Sequence, residues 1–190
     1  IERRGIPAAE LARRMAKVVG GGDGISFFET AAANRASRKV WARILKEKFG
    51  VTDPRCQLRI SGGAPGHILY AQEPLNNIVR LTIAAMANVL GGIQALALCC
   101  YDEAIAIPTE EAHRISLRIQ EIIAYESGAA NVVDPLAGSY YVESLTKQIE
   151  EEAMATIEKI EDMGGLIGAM KWLDAEFEKF TQRTYQEILK

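Results

Sequence analysis

Gly91-Gly92 followed by the apolar run of residues 93–100, interrupted only by Gln94, restricts the fold of this chain more than any other stretch. A run of that length behind a glycine pair fits a strand buried on both faces, as in a parallel sheet. Pro108, Thr109 and Glu110 then open a helix in which Ala112, Ile115, Ile119, Ile122 and Ile123 make one apolar stripe. The same order of strand and helix recurs along the chain, which predicts βα units, a parallel sheet and helices outside it.

Helices are expected over residues 6–18, 28–49, 74–90 and 140–163, and at the end over 166–173 and 175–189. In the second of these, Val40, Trp41, Ile44 and Leu45 face inward, while Arg38, Lys39, Arg43, Lys46 and Lys48 face outward. A short strand covers residues 56–61, and Gly62-Gly63-Ala64-Pro65-Gly66 forms a loop at its carboxyl end. Residues 20–24 are a glycine-rich loop without the Lys-Ser/Thr ending of a P-loop. Trp172, Phe177, Phe180 and Tyr185 recur at helical spacing and read as docking residues rather than a ligand box. About three βα units are visible, where a closed barrel needs eight, so the missing strands are expected upstream of Ile1.

The chain has 190 residues, 48% hydrophobic and 25% charged, with a net charge of −3, which allows one domain with a sizeable core. That balance predicts neither nucleic acid nor an acidic membrane surface as partner. No apolar segment is long enough to cross a membrane, and no stretch reads as a signal peptide. Three cysteines make no disulfide framework, and a reducing cytoplasm fits best. His67 and His113 have no ligands at zinc spacing, so no metal site is expected. Ile1 is not a natural start, and the chain reads as a piece of a longer one.

Extending the isoleucine stripe three residues past Ile123 reaches Glu126. A carboxylate on a buried face, in a last turn where the helix dipole disfavours negative charge, meets two electrostatic costs. Such a residue is a functional candidate; a Glu bonded to neighbouring backbone or arginine is the structural alternative. His67 lies on a loop at the carboxyl end of a strand, where barrel sites form. His113 lies off the stripe and reads as exposed. Cys99 and Cys100, inside an apolar run, read as inert small hydrophobes without a disulfide between them.

FFETAAANRASRKVWARI, AQEPLNNIVRLTIAAMANVLGG, DEAIAIPTEEAHRISLRIQEIIAYESG, VDPLAGSYYVESLT and IEDMGG follow one another across nearly the whole chain. In that order and spacing they resemble the large, catalytic subunit of the adenosylcobalamin-dependent acyl-CoA mutases, the methylmalonyl-CoA mutase family. The resemblance implies that residues 1–190 are a single partial domain. It would be the C-terminal part of the family's (β/α)8 TIM barrel, an α/β fold, with the cobalamin-binding domain absent. It also implies a radical carbon-skeleton rearrangement of an acyl-CoA. Adenosylcobalamin would be held mainly by a domain or subunit outside this chain, and the barrel would form a dimer with a barrel partner. A non-catalytic barrel subunit is the alternative reading.

On the same resemblance, Arg55 falls on the arginine that contacts coenzyme A. Gln94 falls on a glutamine facing substrate and corrin, and Glu126 on the glutamate that bonds the adenosyl ribose. Arg59, where relatives carry glutamine, and His67, inside a loop longer than the family's, join Arg55 as candidate substrate contacts. Ala95-Leu96-Ala97-Leu98-Cys99 stands where relatives read Ser-Leu-His-Thr-Asn, and Ala33 where they have lysine. These departures remove polar groups from the pocket wall and imply an acyl group less polar than methylmalonyl.

Overall fold

The computed structural model describes residues 5–15, 17–19 and 26–188. In chain order the elements are α1 (Ala8–Met15), β1 (Lys17–Val19), α2 (Phe27–Phe49), β2 (Arg59–Ala64), α3 (Asn76–Leu90), β3 (Ala95–Leu98), α4 (Glu110–Tyr125), α5 (Tyr140–Asp162) and α6 (Leu166–Ile188). The fold is α/β and mostly helical, around a three-stranded sheet of order β1-β2-β3. Both pairings are parallel, with Lys17 opposite Arg59, Ser61 opposite Ala95 and Gly63 opposite Ala97. Among the described residues, no helix is long and apolar enough to cross a membrane.

Several boundaries differ from the sequence-based expectation, each for a local reason. The first helix stops at Met15, and Lys17–Val19 forms a strand that the helical spacing of Val18 had concealed. The second strand runs to Ala64 rather than Ser61, so Gly62 and Gly63 lie within it. Close packing explains both glycines: a Cβ on Gly62 would sit 2.5 Å from Asn88 Oδ1, and one on Gly63 2.1 Å from Ala97 O. The last helix is continuous from Leu166 to Ile188, because nothing near Asp174 breaks it. The glycine-rich loop of residues 20–24 lies outside the described residues.

The largest correction concerns β3, which is not buried on both faces. Ala95 and Ala97 are exposed, while Leu96 and Leu98 are half-buried. On β2, Ile60, Gly62 and Ala64 are buried, and Arg59, Ser61 and Gly63 are more open. One face of the sheet is therefore covered and the other bare. The covered face packs on α3, where Leu81, Ala84 and Ala85 join Ala64, Ile68, Leu69, Ile119 and Ile123 in one cluster. Full burial of Ile60 or Leu81 contributes roughly 1.5–3 kcal/mol each. A second cluster sets α1 against α2 through Ala12, Leu45 and Cys56.

The chain divides into two compact units, residues 1–150 and 151–190. The first contains the sheet and every candidate site residue. In the second, the end of α5 faces α6 through Lys159, whose Nζ lies 4.3 Å from the centre of the Trp172 ring. Phe177, Phe180 and Tyr185 are exposed there, and Trp172 is half-buried.

Candidate functional site

Asp53, Pro54 and Arg55 make a short 3-10 turn ahead of β2. Pro54 fixes φ at the start of the turn, and the Asp53 carboxylate caps it by accepting from Arg55 N–H at 2.9 Å. The same carboxylate takes Arg55 Nε at 3.0 Å and Nη2 at 2.8 Å. These bonds, the Arg55 side chain first and its backbone N–H second, hold the Asp53 carboxyl down at about 2. Arg55 is exposed but pinned in direction. It lines a pocket of about 680 Å³ together with Arg38, Trp41, Arg59 and Gln94. Trp41 fixes the back of that pocket, donating from Nε1 to Cys56 O at 2.7 Å.

Three of the residues singled out in the sequence, Arg55, Arg59 and Gln94, thus meet at the amino ends of β2 and β3. Arg59, the first residue of β2, is exposed. The side chain of Gln94 is committed to the backbone. Its Oε1 accepts from Ile60 N–H at 2.8 Å, and its Nε2 donates to Gly92 O at 2.8 Å. Gln94 N–H also donates to Ile60 O at 2.9 Å. Gln94 therefore clasps β2 to the turn before β3, with both ends of its amide engaged in those bonds.

Arg38 corrects a second expectation. It does not face outward; it is half-buried and donates from Nη1 to Gly91 O at 2.7 Å and Gly92 O at 3.0 Å. Burial, and then the nearby Arg35, lower its pKa. The signal for this was helical spacing: Ala31, Asn34, Arg35 and Arg38 share one face of α2.

The carboxyl ends of the strands are organised by Asn77, which is fully buried. Its Nδ2 donates to Tyr70 O and Tyr101 O, both at 2.8 Å, and its Oδ1 accepts from Tyr70 N–H at 3.1 Å. One side chain thereby ties the loop after β2 to the loop after β3. Arg80 donates to the same Oδ1 at 2.8 Å, and its guanidinium stacks 4.7 Å over the Tyr70 ring. His67 lies on the 3-10 turn Gly66–Ile68 and is exposed, away from the amino-end pocket.

Beyond β3, Asp102 is buried and accepts from Thr109 N–H at 2.9 Å and Oγ1 at 3.0 Å, which starts α4. Burial, then the Glu103 carboxylate that accepts its proton, push the Cys99 thiol up to about 12. Burial, then Asp102 and Glu103, also raise Cys100, whose Sγ lies 3.0 Å from Nδ1 of the exposed His113. The cysteines are free and, as expected, poor nucleophiles.

Glu126 is not on the buried stripe. It is the C-cap of α4, with φ −116°, and is exposed. The helix ends at Tyr125, so the 3.6-residue period no longer decides where the next side chain points. Among the described residues its carboxylate has no partner. A carboxylate open to solvent at a loop is able to accept from hydroxyl donors.

The sequence reading missed a buried arginine that ties distant segments of the unit together. Arg35, 7% exposed, donates to both carboxylate oxygens of Asp134 and to Glu143 Oε1. Asp134 takes a left-handed φ of 47° there. The acids of DPLAGSYYVE thus hold the loop before α5 to the middle of α2. The available signal was an arginine set within the small residues Ala31, Ala32, Ala33 and Ala36 of α2.

The sequence model of the family described as methylmalonyl-CoA mutase matches residues 1–189. The 2-hydroxyisobutanoyl-CoA mutase large subunit of Aquincola tertiaricarbonis is 40% identical over 188 residues, 97% of this chain and 33% of that protein. The methylmalonyl-CoA mutase of Rhizobium meliloti is 45% identical over 147 residues, 77% of this chain and 21% of that protein. The Escherichia coli methylmalonyl-CoA mutase is 42% identical over 151 residues, covering 79% and 21%. The chain spans about a third or less of the length of these relatives.

Proposed function

The chain belongs to the methylmalonyl-CoA mutase family, and on that premise we propose that residues 1–190 form the C-terminal part of the (β/α)8 barrel of an adenosylcobalamin-dependent acyl-CoA mutase. Among the described residues, parallel strands alternate with helices and the sheet is open at both edges, which suits a segment of a closed barrel. Isomerisation of an acyl-CoA is the chemistry that the relatives' names denote.

The observation that carries the reading is the amino-end pocket. Three guanidinium groups, Arg38, Arg55 and Arg59, border one cavity at the amino ends of β2 and β3. Guanidinium groups bind phosphates in a way few other side chains do. The phosphates of coenzyme A rest there in this reading, and the thioester arm follows the small residues Ser61, Gly63, Ala95 and Ala97 toward the carboxyl ends. Asp53 holds Arg55 in direction, Gln94 sets the register of the strands that carry the arm, and Asn77 fixes the loops at the reacting end. A wall of hydrocarbon and backbone there excludes water from a reactive intermediate. When bound, adenosylcobalamin supplies the carbon radical that starts the rearrangement. It is held by a cobalamin-binding domain or subunit, with Glu126 receiving the adenosyl ribose hydroxyls, and the barrel pairs with a second barrel.

Two substitutions in the complete enzyme test these roles. Arg55→Ala is expected to raise KM for every acyl-CoA by a common factor of about five, with kcat little changed, because the lost contact lies at the phosphate end. A loss confined to one acyl group would remove Arg55 from that role. Glu126→Gln keeps the shape but loses the charge-assisted bond, and is expected to weaken equilibrium binding of adenosylcobalamin by about tenfold. Unchanged binding would leave Glu126 as a helix cap only.

A further inference from the structure

On the reading that this segment binds an acyl-CoA, we propose that the acyl group it accepts is neutral and hydrocarbon-like, without a second carboxylate. The bare sheet face changes character along its length. Arg55 and Arg59 stand at its amino end and Ser61 in the middle. At the carboxyl end, the register partners Gly63 and Ala97 offer nothing larger than a methyl group. Gly63 cannot acquire a side chain, since a Cβ would lie 2.1 Å from Ala97 O. That floor gives no hydrogen-bond donor to an acyl substituent.

The charges beyond β3 have the wrong sign for a carboxylate. Asp102 and Glu103 follow the strand, and Asp102 is buried with its Oδ1 unpaired among the described residues. Glu103 Oε1 would lie 2.6 Å from a Cβ on Gly66, so its carboxylate hangs over the turn after β2. Arg80, at the same end, is engaged with Asn77 and Tyr70. His67 is exposed on its turn, and His113 stands against Cys100. A second substrate carboxylate there would lose hydration against glycine and methyl and meet the like charge of the exposed Glu103. An alkyl group meets neither cost.

The test uses the complete polypeptide and needs no cobalamin: calorimetric titration with coenzyme A, isobutyryl-CoA and succinyl-CoA. Isobutyryl-CoA is expected to bind at least about tenfold more tightly than succinyl-CoA, with coenzyme A also binding. If coenzyme A binds and succinyl-CoA equals or exceeds isobutyryl-CoA, the proposal fails and the acyl-CoA reading stands. If none of the three binds, both fail. Ala97→Lys, at an exposed position, brings a cation to the floor and is expected to narrow the ratio. An unchanged ratio would overturn the assignment to this floor.

Discussion

Arg35→Ala is expected to cost about 3 kcal/mol, the lower end of the range for breaking a buried ion pair. The arginine is buried, and its removal leaves Asp134 and Glu143 facing each other without their shared cation. Both carboxylates are about two-fifths exposed, 41% and 38% for their side chains, so water recovers part of the loss. The left-handed Asp134 backbone also loses the bonds that keep it there. Amide hydrogen exchange in the complete polypeptide should accelerate across α2 and residues 134–143 together. Adding Asp134→Asn and Glu143→Gln to the variant should return part of the protection, because the penalty lies in the stranded charges. Exchange no faster than in the unmodified protein would show that the loop is held by something else.

Asn77→Ala is expected to cost about 2–3 kcal/mol and to loosen both carboxyl-end loops at once. Three backbone groups, Tyr70 N–H, Tyr70 O and Tyr101 O, lose their side-chain partner together. Arg80 loses the acceptor that holds it over Tyr70. Asn77→Asp discriminates between packing and hydrogen bonding. It keeps size and the acceptor oxygen but points a second oxygen at two carbonyls, so it should be at least as damaging as alanine. Thermal denaturation gives the cost, and exchange at Tyr70 and beyond Tyr101 gives its location. If Asn77→Asp is silent, the amide donations do not hold the loops.

The types of element were legible because periodicity reports which side of an element is covered. The isoleucines of α4 carry that information directly. What stayed hidden depended on the neighbours. Ala95 and Ala97 read as buried in an apolar run, yet an alanine looks the same in sequence whether its face is covered or bare. Gly62 and Gly63 read as loop, whereas they mark where α3 and β3 press against the strand. Arg38 and Arg35 read as solvent-facing charge or went unread, since a long side chain reaches back to carbonyls or to acids a hundred positions away. Of the candidate site, Arg55, Arg59 and Gln94 do gather in one pocket. The inference for Glu126 was drawn from the periodicity of a helix that stops one residue before it.

The bare face has a consequence for how such a protein changes over generations. Ala95 and Ala97 project from the sheet away from its cluster of buried side chains, so their substitution perturbs no packing inside the unit. Exposed substitutions of this kind usually shift stability by no more than about 0.5 kcal/mol. The opposite face is locked: Gly62, Asn88 and Asn34 touch in series, and altering one strands the next. The two sides of one sheet are thus subject to different rules. One can drift without endangering the scaffold, while the other keeps the scaffold nearly unchanged.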